Sequence, residues 1–403
     1  MKQLLKYELI KIAGRKVNLI AMALGMLLIV MSNILVLRDE SLYISEEDSL
    51  KGIAAIRTRT EMENQLTPEL SEEFLTTFLR EYQQTTKDQS LEYDWPRLSK
   101  NRNLFVLIAD NYTKFNEQWT WEDLLTINTD GGIGFYGKRL EKIQSILNAD
   151  YSYGNYTETE KEYWLHKNAS VNTPFIWGSN DTWSVIWDSI CLLIYLLFVV
   201  SICIAPVFSG EYQNGTDALL LASKHGKNKL IFAKILAAFL FTFLYMTLCS
   251  IVNIGISIGI LGIDGWNLPV QLWYTIIPYP WTALTACVMN LLILFLISFL
   301  LTGVSLWISS ICKSPMIVLA IDILLFYGTL FIPWSKASRL WNQILYLLPI
   351  HCFNLQDVLR KYNCYSFGNI VLSYLDMIII VYILLTILCT CFAGKYFKEH
   401  QIG

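Results

Sequence analysis

The chain has 403 residues, of which 54% are hydrophobic, 14% aromatic and only 16% charged, where soluble domains carry about a quarter charged residues. The formal net charge of −3 conceals an asymmetry: residues 38–183 hold 40 of the 65 charged side chains, 25 acidic and 15 basic. That distribution excludes a single soluble domain. It also excludes nucleic acid as a partner, because phosphate binding needs a basic face. What it describes is a polar segment inserted into a membrane protein.

Residues 2–16 place Leu5, Leu9 and Ile12 at i, i+4 and i+7. This stripe suits a helix lying on the inner membrane surface, and a simple basic flank is the alternative. The apolar run that follows is longer than a signal-peptide core and has no small-x-small site after it, so it reads as an uncleaved anchor. Six apolar spans are expected at about 17–37, 187–208, 232–262, 283–311, 315–333 and 371–393, each near the roughly 20 residues a bilayer requires. The fold class is therefore an all-α polytopic membrane protein. It divides into 1–37 (surface helix and first span), a mainly helical extracellular domain at 38–183, and 184–403 (spans two to six).

Within the insert, Ser45-Glu46-Glu47-Asp48 is expected to open one helix, and Thr67-Pro68 to cap another. Leu70, Phe74, Leu75, Phe78, Leu79 and Tyr82 form an apolar stripe behind that second cap. Thr157-x-x-Glu160 is a capping-box pattern. The run Gly132-Ile133-Gly134-Phe135-Tyr136-Gly137-Lys138-Arg139 matches GxxxxGK of a phosphate loop, but Arg139 stands where Ser or Thr would hold magnesium. It reads as a glycine turn before a helix starting near Phe135.

No metal site is expected. The histidines, His166, His225, His351 and His400, are scattered, and Glu162 with His166 lacks a third ligand. No nucleophile elbow or HExxH is present, so no enzyme activity and no cofactor are expected. All nine cysteines lie outside the insert, and Cys352 and Cys364 share an outer segment in which they could pair. Pro269, Pro278 and Pro280 break the long apolar stretch after Gly265, so 266–281 reads as an interfacial or re-entrant hairpin. Asp322 falls mid-span, while Asp188 and Asp376 lie nearer span ends. A carboxylate at bilayer depth costs about 2.5–3.5 kcal/mol on insertion scales and needs a partner or a purpose. For Asp322 the choices are a substrate path or subunit contact, or a hydrogen bond that joins helices. For the other two, helix joining is the expectation.

Between the second and third spans stands a polar island of about two dozen residues, from Gly210 to Lys234. A turn would need far fewer. The island is long enough for a short amphipathic helix with basic residues at its C-terminal end, at a membrane face where a soluble partner can push it. Glu211, Gly215-Thr216, Leu219-Leu220, the following basic residues and Lys234-Ile235 resemble the E-x-x-x-G-T-x-x-x-L-L…K-I signature of ABC type-2 permeases. The six-span layout and the N-terminal surface helix are similar to that family too. The resemblance covers most of the membrane part but not 38–183, and Lys224-His225-Gly226 stand where the family has a proline.

The resemblance implies that 209–231 is the coupling segment, with Glu211, Gly215, Thr216, Leu219, Leu220 and Lys234 coupling to cytoplasmic ABC ATPase subunits. It also implies a second permease subunit, like or unlike, beside this one in the bilayer. The function so implied is the permease subunit of an ATP-driven exporter, moving an amphipathic substrate such as an antimicrobial peptide or drug. The alternative is a non-transporting sensor or force-transmitting subunit driven by the same ATPase. Lys and Arg near the spans independently place both termini in the cytoplasm and 38–183 outside the cell membrane.

Overall fold

The computed structural model describes residues 1–45, 48–88, 95–222 and 226–399. The chain is mostly helical. Helix α1 (Lys2–Ala13) turns at Gly14 into α2 (Lys16–Asp39). Leu5, Leu9 and Ile12 of α1 do pack inward, while Tyr7 and Ile10 are exposed.

The insert follows. Strands β1 (Ser41–Tyr43) and β2 (Ser49–Lys51) pair antiparallel with Leu42 opposite Leu50. Seven helices come next: α3 (Ile53–Asn64), α4 (Glu72–Asp88), α5 (Trp95–Lys100), α6 (Arg102–Tyr112), α7 (Trp121–Thr126), α8 (Phe135–Asn148) and α9 (Glu158–Ala169).

The second span is built from α10 (Asp181–Leu192) and α11 (Leu196–Ile204), joined and followed by single 3-10 turns, the later one containing Pro206. The island contributes α12 (Ser209–Gln213) and α13 (Asp217–Ala222), and a π-helical turn, Gly226–Leu230, leads into α14 (Ile231–Leu261). Helix α15 (Ala283–Ile311) and α16 (Pro315–Phe326) come next. The short α17 (Arg339–Tyr346), α18 (Pro349–Cys352) and α19 (Leu355–Arg360) precede a hairpin of β3 (Cys364–Phe367) and β4 (Ile370–Ser373), and α20 (Tyr374–Glu399) closes the described chain.

Among the described residues five helical stretches are long and apolar enough to cross a membrane: Lys16–Arg38, Asp181–Val207, Asn228–Leu261, Ala283–Ile311 and Tyr374–Glu399. The sixth expected span, 315–333, differs. Pro315 starts α16 at its first turn, but the helix stops at Phe326 and continues only as a 3-10 turn, Gly328–Phe331. Twelve residues rise about 18 Å, short of a hydrocarbon core of about 30 Å.

Two other expected starts also shift. The helix expected from Ser45–Asp48 lies partly outside the described residues, and its flanks form the β1–β2 hairpin, so that helix α3 opens only after Gly52. Thr67-Pro68 does not cap α4. Ser71 does, its hydroxyl accepting from the Phe74 amide at 3.2 Å, because residues 67–70 are drawn into an extended pairing of Glu69 with Ile176. Cys352 and Cys364 are both free thiols, with Cys352 held by the Tyr382 hydroxyl at 3.0 Å.

Other readings hold. The stripe from Leu70 to Tyr82 faces a core of the insert's own with Leu104, Phe105, Ile108 and Phe135. Thr157 and Glu160 cap α9 reciprocally. Gly134, at φ +64°, turns the chain into α8 at Phe135. The N-terminus of α8 is already occupied: the amides of Phe135 and Tyr136 donate to the Glu72 carboxylate at 3.0 and 2.9 Å. Those two amides are therefore taken by a carboxylate of the chain itself.

The bundle packs by small and polar contacts. A Cβ on Gly303 of α15 would meet the Thr386 carbonyl oxygen of α20 at 3.2 Å, so the two helices approach closely there. Asn33, Ser189 and Asn253 link the first three spans, with Asn33 donating to Asn253 at 2.6 Å and Asn253 to Ser189 at 2.9 Å.

The insert sits against the end of the bundle where α14 passes to α15. Residues 262–282 form a closed loop there. Val270 pairs with Trp281, and the Gln271 amide donates to the carbonyls of Ile277 and Tyr279. Leu268 and Leu272 of this loop complete the insert's core. Arg139 of α8 reaches into the loop, donating to the Thr275 carbonyl and to Asn168, each at 2.6 Å. Nearby, Arg59 of α3 joins Asp181 (2.7 Å) and Glu40 (2.9 Å), while Asn103 bridges Asp181 to the fully buried Glu63.

Burial, and then the Asp181 carboxylate, push the Glu63 acid up to about 8. The folded protein therefore keeps a proton that the unfolded chain gives up. Stability is expected to fall as pH rises from about 4.5 to about 8. Glu63→Gln should flatten that slope in thermal melts of the detergent-solubilised protein, and an unchanged slope would refute the assignment.

Candidate functional site

At the opposite end of the bundle the polar island is clamped before it projects. The second span ends at Phe208, where the amides of Phe208 and Ser209 both donate to the Ser309 hydroxyl of α15, at 3.1 and 2.9 Å. Tyr212 donates to the Ser310 carbonyl at 2.9 Å, and Phe208 stacks on Phe397 of α20 with ring centres 4.5 Å apart.

The E-x-x-x-G-T spacing follows from how α12 ends. Gly215 donates to the Tyr212 carbonyl (3.1 Å) and Thr216 to the Glu211 carbonyl (3.0 Å), the paired bonds of a Schellman C-cap. Gly215 takes φ +66°, as that cap requires. The Thr216 hydroxyl then donates to the Glu211 carboxylate at 2.6 Å. The expected single amphipathic helix is thus two short ones, with this turn between them.

Glu211, 3% exposed, is the centre of a buried ion cluster. Lys234 of α14, fully buried, pairs with it at 2.6 Å and with Glu8 of α1 at 3.0 Å. Lys11 of α1 also pairs with Glu211. Burial pushes the Glu211 acid up, but Lys234 and the hydrogen bonds from Lys11, Lys234 and Thr216 overcome it and bring the group down to about 2.

The structure therefore brings Glu211, Gly215, Thr216 and Lys234 together. Leu219 and Leu220 lie beyond them on α13, where Leu219 is 75% exposed and Leu220 half-buried. Lys224 and His225, at the place of the family's proline, lie outside the described residues. Asp322 is elsewhere: in α16 it accepts from the Ser201 hydroxyl of α11 and is 1% exposed. Asp376 and Ser373 cap α20 reciprocally. Among the described residues no group of three His, Cys, Asp or Glu side chains could hold a metal ion.

Sequence reasoning missed Glu8, Lys11 and Ser309. A signal existed for the first, since Glu8 is the one acidic residue among the first 37. Ser309, one hydroxyl in an apolar helix, left none.

A family model described as ABC-2 family transporter protein matches residues 18–356. The chain belongs to that family. Comparison with curated proteins and with solved structures gives no match. The matched stretch starts in the first span and runs through the insert, so membership extends across 38–183, which motif and layout had not reached; it stops in α19, before the last span. As an ABC-2 permease the chain is the membrane component of a transporter and not its ATPase, and the family implies partnership with an ABC ATPase.

Removing one member of the cluster strands the others. Lys234→Met is expected to cost about 3–5 kcal/mol, as for other broken buried pairs. Gly215→Val should cost about 1–2 kcal/mol from backbone conformation, because a Cβ there meets nothing within 4 Å; Gly215→Asn should recover most of it. The stability Glu211 contributes is present above pH 4.5 and is lost as pH falls toward 2. Thermal melts of the three variants and an acid titration beside Glu211→Gln check each value.

Proposed function

We propose that the chain is the membrane-spanning subunit of an ATP-driven ABC exporter, and that the island 209–231 is where the ATPase docks. The observation that carries this reading is the contrast within the island. Its base is locked to two other helices, α1 and α14, by the Glu211–Lys234–Lys11–Glu8 cluster, and its tip presents Leu219 to solvent. An apolar side chain on a rigidly based projection is what a soluble partner can grip and push. The family is the membrane component of transporters and not the ATPase, so in this reading the energy for transport comes from the partner.

In this reading both termini and the island face the cytoplasm, and 38–183 lies outside the cell. The basic residues near the island and near α1 support that orientation. Two permease subunits pair around the path, and ATP-driven closure of the ATPases moves the two islands. A large outer domain suits a bulky amphipathic substrate such as an antimicrobial peptide or drug.

Two measurements test this. A cysteine introduced near Asp88 should react with an impermeant maleimide in intact cells and one near Asn228 should not; the reverse pattern overturns the orientation. Leu219→Asp should reduce co-purification with the ATPase about tenfold or more, as for a lost apolar anchor, while membrane levels and melting temperature stay unchanged. Undiminished co-purification would remove the island from the interface. In liposomes the intact complex should move substrate with ATP, whereas ATP turnover without flux would identify a force-transmitting subunit instead.

A further inference from the structure

At the insert end, a cavity of about 430 Å³ lies between the α8–α9 connection and the segment formed by α17 and residues 360–363. Its volume is in the range of small-molecule sites, about 300–1,000 Å³. Three tyrosines of the insert, Tyr151, Tyr153 and Tyr156, form one wall, with Tyr151 and Tyr153 ring centres 5.3 Å apart. Tyr346 of α17 faces the same space. An adjoining open depression adds Trp334 and Lys336 and shares Tyr153, Tyr346 and Lys361.

The cations here are unequally matched. Arg339 is held by both oxygens of Glu160 at 2.9 Å, and Arg360 by Asp357 at 2.6 Å. Among the described residues Lys361 and Lys336 have no carboxylate within ion-pair distance. Lys361 is half-buried, its ammonium 5.1 Å from the centre of the Tyr346 ring. Burial pulls that ammonium below its ordinary range; Asp357 opposes this and Arg360 adds to it. A partly desolvated cation with no directly paired carboxylate is destabilising, Asp357 being bound to Arg360, and neighbouring tyrosine rings offset only part of that. A bound anion would supply the missing charge, and the tyrosine walls would stack on a flat ring attached to it.

We propose that this cavity binds a small ligand that carries a phosphate or carboxylate beside a flat ring, with Lys361 pairing the anion and Tyr153 and Tyr346 holding the ring. The site stands on its own geometry and needs neither ATP nor transport, so its test is separate from that of the permease reading.

The full chain in phosphatidylcholine nanodiscs is titrated calorimetrically with phenyl phosphate, inorganic phosphate and phenyl glucoside. Phenyl phosphate should bind saturably, and about tenfold or more tighter than either probe lacking the ring or the charge. Lys361→Gln and Tyr346→Ala should each weaken it about tenfold, the scale of one lost charged or stacked contact. Lys361→Arg should stay within about threefold of the parent, since it keeps the charge. Equal melting temperatures confirm that the variants are folded. Absence of saturable binding, equal affinity in folded Lys361→Gln, or equal affinity for phenyl glucoside would overturn the assignment. Phosphatidylglycerol added to the discs carries a phosphate without a flat ring and should compete no better than inorganic phosphate; competition equal to that of phenyl phosphate would overturn the role given to the tyrosines.

Discussion

A charge inside a low-dielectric body must meet an opposite charge or a full set of hydrogen bonds, and much of this structure is arranged by that requirement. Lys234 is the clearest case. It lies one turn inside the longest helix, fully buried, and it is stable there because Glu211 and Glu8 converge on it from two other segments. Glu211 in turn is stable because Lys11 shares its Oε1 with Lys234 and Thr216 donates to its Oε2. The cluster therefore fixes where α1 lies, where the second span ends and how the island leaves the bundle. Without it the island would be a loop between two spans.

The same rule attaches the insert at the other end, with different chemistry. Arg139 is buried without a carboxylate and relies on the carbonyls of Thr275 and Ile277 and on Asn168. Burial lowers its pKa from the ordinary guanidinium range, so the loop 262–282 must hold those carbonyls in place. Arg59 instead draws Glu40 and Asp181, at the two points where the chain leaves and re-enters the bundle, to one guanidinium. The insert is thus tied at both its roots and along one side.

Much of this was legible in the sequence because its signals are additive. Five membrane-capable helices, the N-terminal helix, the stripe from Leu70 to Tyr82 and the Thr157–Glu160 cap each rest on residues close together in the chain. The fifth apolar run is not confirmed as a full span, because composition counts apolar residues and does not see that the α-helix ends at Phe326 and gives way to a 3-10 turn at Gly328. Ser45–Asp48 carried a helix-start composition, yet strand pairing between residues 41 and 51 overrode it in the flanks. For the site, the spacing of Glu211, Gly215 and Thr216 is a local cap and could be read directly. Glu8 and Lys11 are about 200 residues away, and their meeting with Glu211 depends on packing that no local pattern encodes.

Helix α14 connects these two ends. It is unbroken from Ile231 to Leu261 and spans about 46 Å at 1.5 Å per residue. Near its start Lys234 holds the island; along its length Asn253 bonds Asn33 and Ser189 of the first two spans; and at its far end the Ile260 carbonyl accepts from Arg57 of α3, at 2.7 Å, in the insert. A straight helix transmits rotation and tilt better than it bends, since bending strains its hydrogen bonds. A push on the island is therefore resisted first by the ion cluster, and what passes it arrives at α3 and the Arg59–Asp181 junction through one rigid element. The contrast between a rigid shaft and hydrogen-bonded contacts at each end ties the packing of the island to that of the insert.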